Sequence, residues 1–145
     1  MAHYPLNHHL RQPYRLLTAA AGLYLTLFGL LGLAVTWGDP FTHRGADWVL
    51  GLRTNPAAAW LATLVGVAVL AAVLLGGNLH HRVNLVLAWA VLTIAMVQMA
   101  FIQTDANVLN ASMANVIALT LLGLAILLGA LYGKVGTEER QPAAG

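Results

Sequence analysis

The segment from Ala57 to Leu75 reads AAAWLATLVGVAVLAAVLL and contains no charged side chain. Its length matches the ~20 residues that a helix needs to cross a hydrocarbon layer of ~30 Å. Three further stretches have the same character, and they cover residues 16–37, 83–103 and 114–132. A chain that crosses lipid in such segments must be helical there, because the helix pairs its own backbone polar groups. The sequence therefore predicts an all-α, transmembrane four-helix bundle.

Composition limits the function classes that such a bundle can serve. Charged residues make up 8% of the 145 residues, and all of them fall outside the four spans. An ionisable side chain at bilayer depth commonly marks a proton or ion pathway, so this distribution argues against a pump, channel or ion-coupled carrier. The chain has no Cys, which excludes disulfide and thiolate chemistry. The seven Lys and Arg form no basic run, and we expect no nucleic-acid partner.

The spans divide the chain into an amino-terminal tail of residues 1–15, a membrane domain of residues 16–133 and a carboxy-terminal tail of residues 134–145. The first span exceeds the usual apolar length of a signal peptide and precedes no A-x-A cleavage site, so we predict that it is retained. The side that carries both tails and the second connection has more Lys and Arg than the opposite side, which has Arg44 and Arg53. The positive-inside rule then predicts cytoplasmic termini. The residues on the tail side are Arg11, Arg15, Arg82, Lys134 and Arg140.

The connections contain recognisable helix start and stop signals. Asn55 followed by Pro56 is typical of a helix start, and Ser112 could cap the fourth helix in the same way. Gly76 and Gly77 tolerate left-handed backbone and predict a tight turn after the second span. The first connection is the longest, and its aromatic side chains predict a position along the outer headgroup layer.

A short phrase recurs near the middle of the spans. Thr-Leu-x-Gly begins at Thr26, Thr63 and Thr120, and a degraded copy begins at Thr93. The copies align when the second span is shifted onto the fourth and the first onto the third, which predicts two tandem helical hairpins of the same orientation. Small residues and hydroxyls hold membrane helices together, so we interpret the phrase as a packing motif. The predicted packing residues are Thr26, Gly29, Thr63, Gly66, Thr93, Thr120, Gly123 and Gly129.

Few polar side chains could contact a ligand. Gln98 is predicted to be the deepest of them, and either an interhelical hydrogen bond or a bond to a ligand headgroup or quinone oxygen would satisfy it. Asn84 is the second candidate. His80 and His81, with His3, His8 and His9 of the tail, are expected to meet headgroups on the cytoplasmic side. Because adjacent histidines lack the i,i+4 spacing of metal ligands, we predict no metal, cofactor or catalytic residue.

Two segments resemble a known family. They are LGLRTNPAAAW, residues 50–60, and NLHHRVN, residues 78–84. Together they are similar to a bacterial family of small four-span integral membrane proteins known only as a domain of unknown function, over about Arg15 to Lys134. The resemblance implies a bacterial plasma-membrane location and carries over no catalytic residue. The chain departs from some relatives by lacking a His between Ala57 and Trp60.

These observations predict a protein that is not an enzyme. We expect an accessory, assembly or structural component of a membrane complex, in contact with membrane lipids and with other membrane proteins or its own copy. The alternative is a carrier or binding protein for a lipidic or quinone-like molecule. A cavity at Gln98 would favour the alternative, and a closed interior would favour the accessory component.

Overall fold

The computed structural model describes residues 6–136, so His3, Arg140 and the remaining ends of both tails lie outside the described residues. It contains four α-helices, and all four are long and apolar enough to cross a membrane. This confirms the predicted all-helical chain with four apolar spans. The helices are α1 Arg11–Val35, α2 Pro56–Leu75, α3 Gly77–Phe101 and α4 Met113–Leu131.

The predicted starts of α2 and α4 are confirmed. The Asn55 side chain accepts a hydrogen bond from the Ala58 N–H at 2.8 Å, and Pro56 opens the helix. Ser112 and Asn115 bond each other's backbone N–H in a capping box. In both cases a side chain satisfies an N–H group that has no partner within the helix.

The predicted turn after α2 is confirmed, but it is shorter than expected. Gly76 and Gly77 have φ of +68° and +58°, which glycine adopts without a steric penalty. The helix α3 begins at Gly77, ahead of the predicted start of the span at residue 83. His80 and His81 therefore lie in the first turns of a helix and not in a connection.

The helices pack in two close pairs. The first pair is α1 with α2 and the second is α3 with α4, while α1 also packs along α4. The helices α2 and α3 make the fewest contacts of these neighbours, although only Gly76 separates them. Small and medium side chains form the centre, among them Ala21, Leu25, Val69, Ala88 and Ile126.

The connection between α1 and α2, residues 36–55, is named the first loop, and the connection between α3 and α4, residues 102–112, is named the third loop. Two short antiparallel strands in the first loop, β1 Trp48–Val49 and β2 Leu52–Arg53, were not predicted. A two-residue turn with positive φ at Leu50 (+49°) and Gly51 (+82°) joins them, as tight hairpins require.

The two loops interlock through buried asparagines. The Asn55 side chain donates to the carbonyls of His43 in the first loop and Val108 in the third, at 3.0 and 2.8 Å. Asn110 donates to Gly45 and Thr54 of the first loop, both at 3.0 Å. Each amide satisfies backbone carbonyls that would otherwise be buried without a partner. The loops thus form one cap over one end of the helices.

Candidate functional site

An apolar cleft lies between α2 and α3, where the two helices make few contacts. It is partly open, and its cavity volume is about 50 Å³, well below the ~300–1,000 Å³ of a usual ligand pocket. Its walls are formed by α2 and α3, with further side chains from α1 and α4. Residues of both loops cover one end. Its lining includes Tyr24, Ala58, Ala62, Gln98, Asn115 and Leu119.

The sequence accounts for this opening. The turn at Gly76 fixes α2 and α3 together at one end. Toward the other end, α2 presents Ala58 and Ala62 to the cleft, and alanine is too small to fill the space between diverging helices. In lipid nothing forces such a gap to close, because an acyl chain is as apolar as the side chains that line it. The cleft therefore stays as an apolar groove between the two helices.

Gln98 is the polar group at this cleft whose hydrogen bonding is incomplete. It is 9% exposed, and its Oε1 atom has no hydrogen-bond partner among the described residues. By contrast, Asn115 bonds both the N–H and the carbonyl of Arg53, at 3.0 and 2.7 Å. Tyr24 donates its hydroxyl to the Leu50 carbonyl at 2.9 Å. An unpaired buried acceptor costs ~1–3 kcal/mol, so a hydroxyl or amide donor on a ligand would be stabilised at Gln98.

The two predicted ligand residues lie far apart on α3. Asn84 lies about two turns from the start of the helix, and Gln98 lies within one turn of its end at Phe101. At 1.5 Å per residue they are separated by roughly 20 Å along the helix. One ligand headgroup cannot contact both, and the two residues belong to different sites.

Asn84 belongs to a buried polar cluster at the opposite end of α3. Its amide lies 2.8 Å from Nδ1 of His80, and Nδ1 of His81 donates to the Ala130 carbonyl at 2.7 Å. His80 and His81 are 2% and 6% exposed, so the prediction that they meet headgroups is wrong. Gly133, just beyond the end of α4, leaves room for His80, because a Cβ there would come within 2.7 Å of the His80 ring.

The cluster contains unpaired polar atoms of its own. Within residues 6–136, Nε2 of His80 and Oδ1 of Asn84 have no hydrogen-bond partner. Close to this cluster in space, Arg15 donates to the Val73 carbonyl near the end of α2 through Nε, at 3.1 Å, and through Nη2. This contact places a cation at the negative end of the α2 dipole, which stabilises the turn at Gly76.

Glycines and threonines of the repeated phrase lie against each other between α1 and α2. A Cβ added at Gly29 would lie 2.5 Å from the Thr63 backbone nitrogen, and one added at Gly66 would lie 2.5 Å from that of Thr26. Each glycine thus packs against the threonine of the phrase on the other helix. The threonine hydroxyls, however, donate within their own helices, to Gly22 and to Ala59, both at 2.8 Å. The expectation that they bond across helices is wrong. The motif instead lets the backbones of α1 and α2 approach closely at the two glycines.

The other predicted packing residues have different neighbours. Gly129 faces α1, where a Cβ would lie 2.8 Å from the Tyr14 carbonyl, and Gly123 faces Leu92 of α3. Thr120 is half-buried. Thr93 is exposed, and its hydroxyl donates to the Trp89 carbonyl of its own turn. The structure does not bring Thr93 into the packing that the repeat predicted.

Two asparagines that hold the third loop in place were not predicted from the sequence. Asn107 and Asn110 are buried in the third loop, at 9% and 3% exposed. Asn110 has a φ of +51°, a conformation that asparagine tolerates better than most residues. An Asn-rich loop between two apolar spans was the available signal, but it does not specify which carbonyls the amides reach.

Comparison with known proteins adds no further assignment. No family model matches the chain, and neither a curated protein nor a solved structure matches it. The four apolar helices define the class of a multi-pass membrane protein. The similarity of residues 50–60 and 78–84 to a bacterial four-span family stays a prediction.

Proposed function

We propose that this chain is a non-enzymatic protein of a bacterial plasma membrane that binds a lipidic molecule with a slender apolar chain. The four helices form a transmembrane bundle with both termini in the cytoplasm, and the cleft between α2 and α3 is open to lipid. The single observation that carries the proposal is the apolar cleft beside the unpaired Oε1 of Gln98. This reverses the order of the two functions expected from the sequence.

Two features of the cleft support a lipidic ligand over a polar one. Its lining is almost wholly aliphatic and aromatic, and burying apolar ligand surface stabilises a complex by ~25 cal/mol per Å². The unpaired Oε1 atom of Gln98 lies toward the loop end, within a turn of the end of α3. A ligand with an apolar tail and a single hydroxyl or amide donor fits both features. Quinone oxygens are acceptors, so they would bond the Gln98 amide nitrogen instead.

A volume change in the cleft tests the proposal. We expect Ala58→Phe to fill the space between α2 and α3 and to reduce lipid retention, because the ring occupies the path of the apolar chain. The matched control is Ala71→Phe, which adds the same volume to an exposed position of the same helix. Native mass spectrometry of protein extracted in mild detergent measures the retained mass. Equal retention by both variants, or no retained lipid in the unsubstituted protein, would refute the proposal.

Gln98→Leu separates the roles of tail and headgroup. The variant removes an unpaired buried acceptor, so we expect the ligand-free protein to become more stable, by ~1 kcal/mol. We expect the added lipid to raise the melting temperature less than it does for the unsubstituted protein. An undiminished rise would show that Gln98 does not contact the headgroup.

An accessory function in a membrane complex is the second candidate. The outer part of the α3 and α4 surface carries a shallow groove lined by Met96, Met99 and Thr120, and Met96 is 75% exposed. Methionine adapts to varied partners and is frequent at such binding surfaces. A protein that co-purifies in stoichiometric amount and is lost in Met96→Lys would support this function, whereas retained lipid lost in Ala58→Phe supports the first.

A further inference from the structure

We propose that Asp39, His43 and Asp47 of the first loop form a binding site for a divalent transition-metal ion, with Zn²⁺ as the representative. One ligand atom from each residue lies within 4.8 Å of the other two. Ligand atoms bound at ~2.1 Å to one ion lie at most ~4.2 Å apart, so small side-chain rotations complete the site. One imidazole nitrogen with two carboxylate oxygens is a donor set that suits Zn²⁺ and neighbouring divalent ions.

Gly45 provides an independent indication that these groups converge. A Cβ added to Gly45 would lie 2.6 Å from Nε2 of His43 and 2.8 Å from Oδ2 of Asp47. Both potential ligand atoms therefore border the space that the missing side chain leaves open. Any other residue at position 45 would push the imidazole and the carboxylate away from each other.

The backbone that carries the three side chains is held in place by the interlocked loops. The His43 and Gly45 carbonyls accept from the buried amides of Asn55 and Asn110, both at 3.0 Å. The Asp47 carbonyl accepts from the Thr54 N–H at 3.0 Å. A site on a fixed backbone loses less conformational entropy when it binds an ion.

The charges near the site favour a cation. Arg44 is adjacent in sequence, but its guanidinium points to the third loop, where it contacts Asp105 at 3.1 Å and the Thr104 carbonyl at 2.9 Å. Within residues 6–136, the side chains of Asp39, His43 and Asp47 make no hydrogen bond or ion pair. Asp39 and His43 are exposed and Asp47 is half-buried. The two carboxylates thus face an accessible space, and the neighbouring Arg44 is engaged by the third loop.

Three protein ligands leave coordination positions for water. Such an open site exchanges its ion and differs from closed structural sites with four protein ligands. The proposal departs from the sequence-based expectation of no metal ligand, because the three residues are spread over a loop whose shape the sequence did not reveal. It does not depend on the lipid cleft, and Ala58→Phe should leave the affinity for Zn²⁺ unchanged.

Titration of the full chain in detergent micelles with Zn²⁺ tests the proposal, with calorimetry as the readout. Co²⁺ absorption spectra report the coordination independently. We expect His43→Gln and Asp47→Asn each to weaken binding at least about tenfold, and Gly45→Ala to weaken it about tenfold without removing a ligand. The matched control is Asp105→Asn, which removes a carboxylate of the third loop, and His9→Gln controls for histidines of the amino-terminal tail.

The expected result is a single site whose affinity falls only in the three loop variants. Absence of saturable binding by the unsubstituted protein would overturn the proposal. Equal weakening by Asp47→Asn and Asp105→Asn, or unchanged affinity in His43→Gln, would also overturn it. Circular dichroism of each variant identifies any loss of fold, which we do not expect of His43→Gln or Asp47→Asn, because neither side chain makes a described hydrogen bond.

Discussion

The two helical hairpins contain the same four-residue phrase, yet they use it differently. The first hairpin consists of α1 and α2. There Gly29 packs against Thr63, and Gly66 packs against Thr26. The two backbones therefore approach closely at two points. In the second hairpin, α3 and α4, Gly123 receives the end of the Leu92 side chain, and Thr93 is exposed. A shared motif therefore does not guarantee a shared contact, because its effect depends on which residues the partner helix supplies.

Replacing Gly29 and Gly123 by alanine should reveal the largest difference in stability between the two hairpins. A Cβ at Gly29 meets the Thr63 nitrogen at 2.5 Å and the Ala59 carbonyl at 2.8 Å, both backbone atoms that cannot move separately. We expect Gly29→Ala to destabilise the fold by ~2–3 kcal/mol, as overpacking commonly does. At Gly123 the nearest atom, at 2.8 Å, ends a flexible leucine side chain. Gly123→Ala should cost less than ~1 kcal/mol, since alanine also favours the helix.

Unfolding in detergent with increasing denaturant measures both changes. The second hairpin serves as the internal control, because the same substitution is made in a helix of similar composition. If Gly123→Ala proved as damaging as Gly29→Ala, the asymmetry between the hairpins would be disproved.

The two helix caps give a second, smaller contrast. Asn55 caps α2 and also bonds carbonyls of both loops, whereas Ser112 acts locally at the start of α4. We expect Asn55→Ala to cost ~2 kcal/mol, as the sum of a lost cap and of carbonyls left unpaired. Ser112→Ala should cost ~1 kcal/mol. Hydrogen exchange of the loop amides would rise in Asn55→Ala, and equal exchange in the two variants would contradict the interlocked cap.

The ion pair between the loops should have the smallest effect. Arg44 and Asp105 join the first hairpin's loop to the second's, but the Asp105 side chain is fully exposed. Water and salt screen such a pair, and exposed pairs contribute little to stability. Asp105→Asn should therefore leave the melting temperature within experimental error. A large drop would indicate that the loops depend on charge and not on the asparagine amides.

The sequence predicted the features that depend on local chemistry. Apolar runs required four helices, Asn55 with Pro56 marked the start of α2, and Gly76 marked its end. It did not predict that His80 and His81 would be buried, because the burial of His80 requires Gly133, beyond the end of α4, to leave room for its ring. It named Gln98 and Asn84 as candidate ligand residues, but only the structure shows that they belong to different sites along α3.

By itself the sequence determined four helices that are long and apolar enough to cross a membrane, since lipid cannot satisfy unpaired backbone groups and charged residues lie outside these segments. Only the tertiary structure decided which small residues meet, where a cleft remains beside Gln98, and that Asp39, His43 and Asp47 share one space. Those outcomes depend on contacts between residues far apart in the chain. In lipid such contacts are selected by shape and hydrogen bonding, and the local sequence pattern of one segment does not specify them.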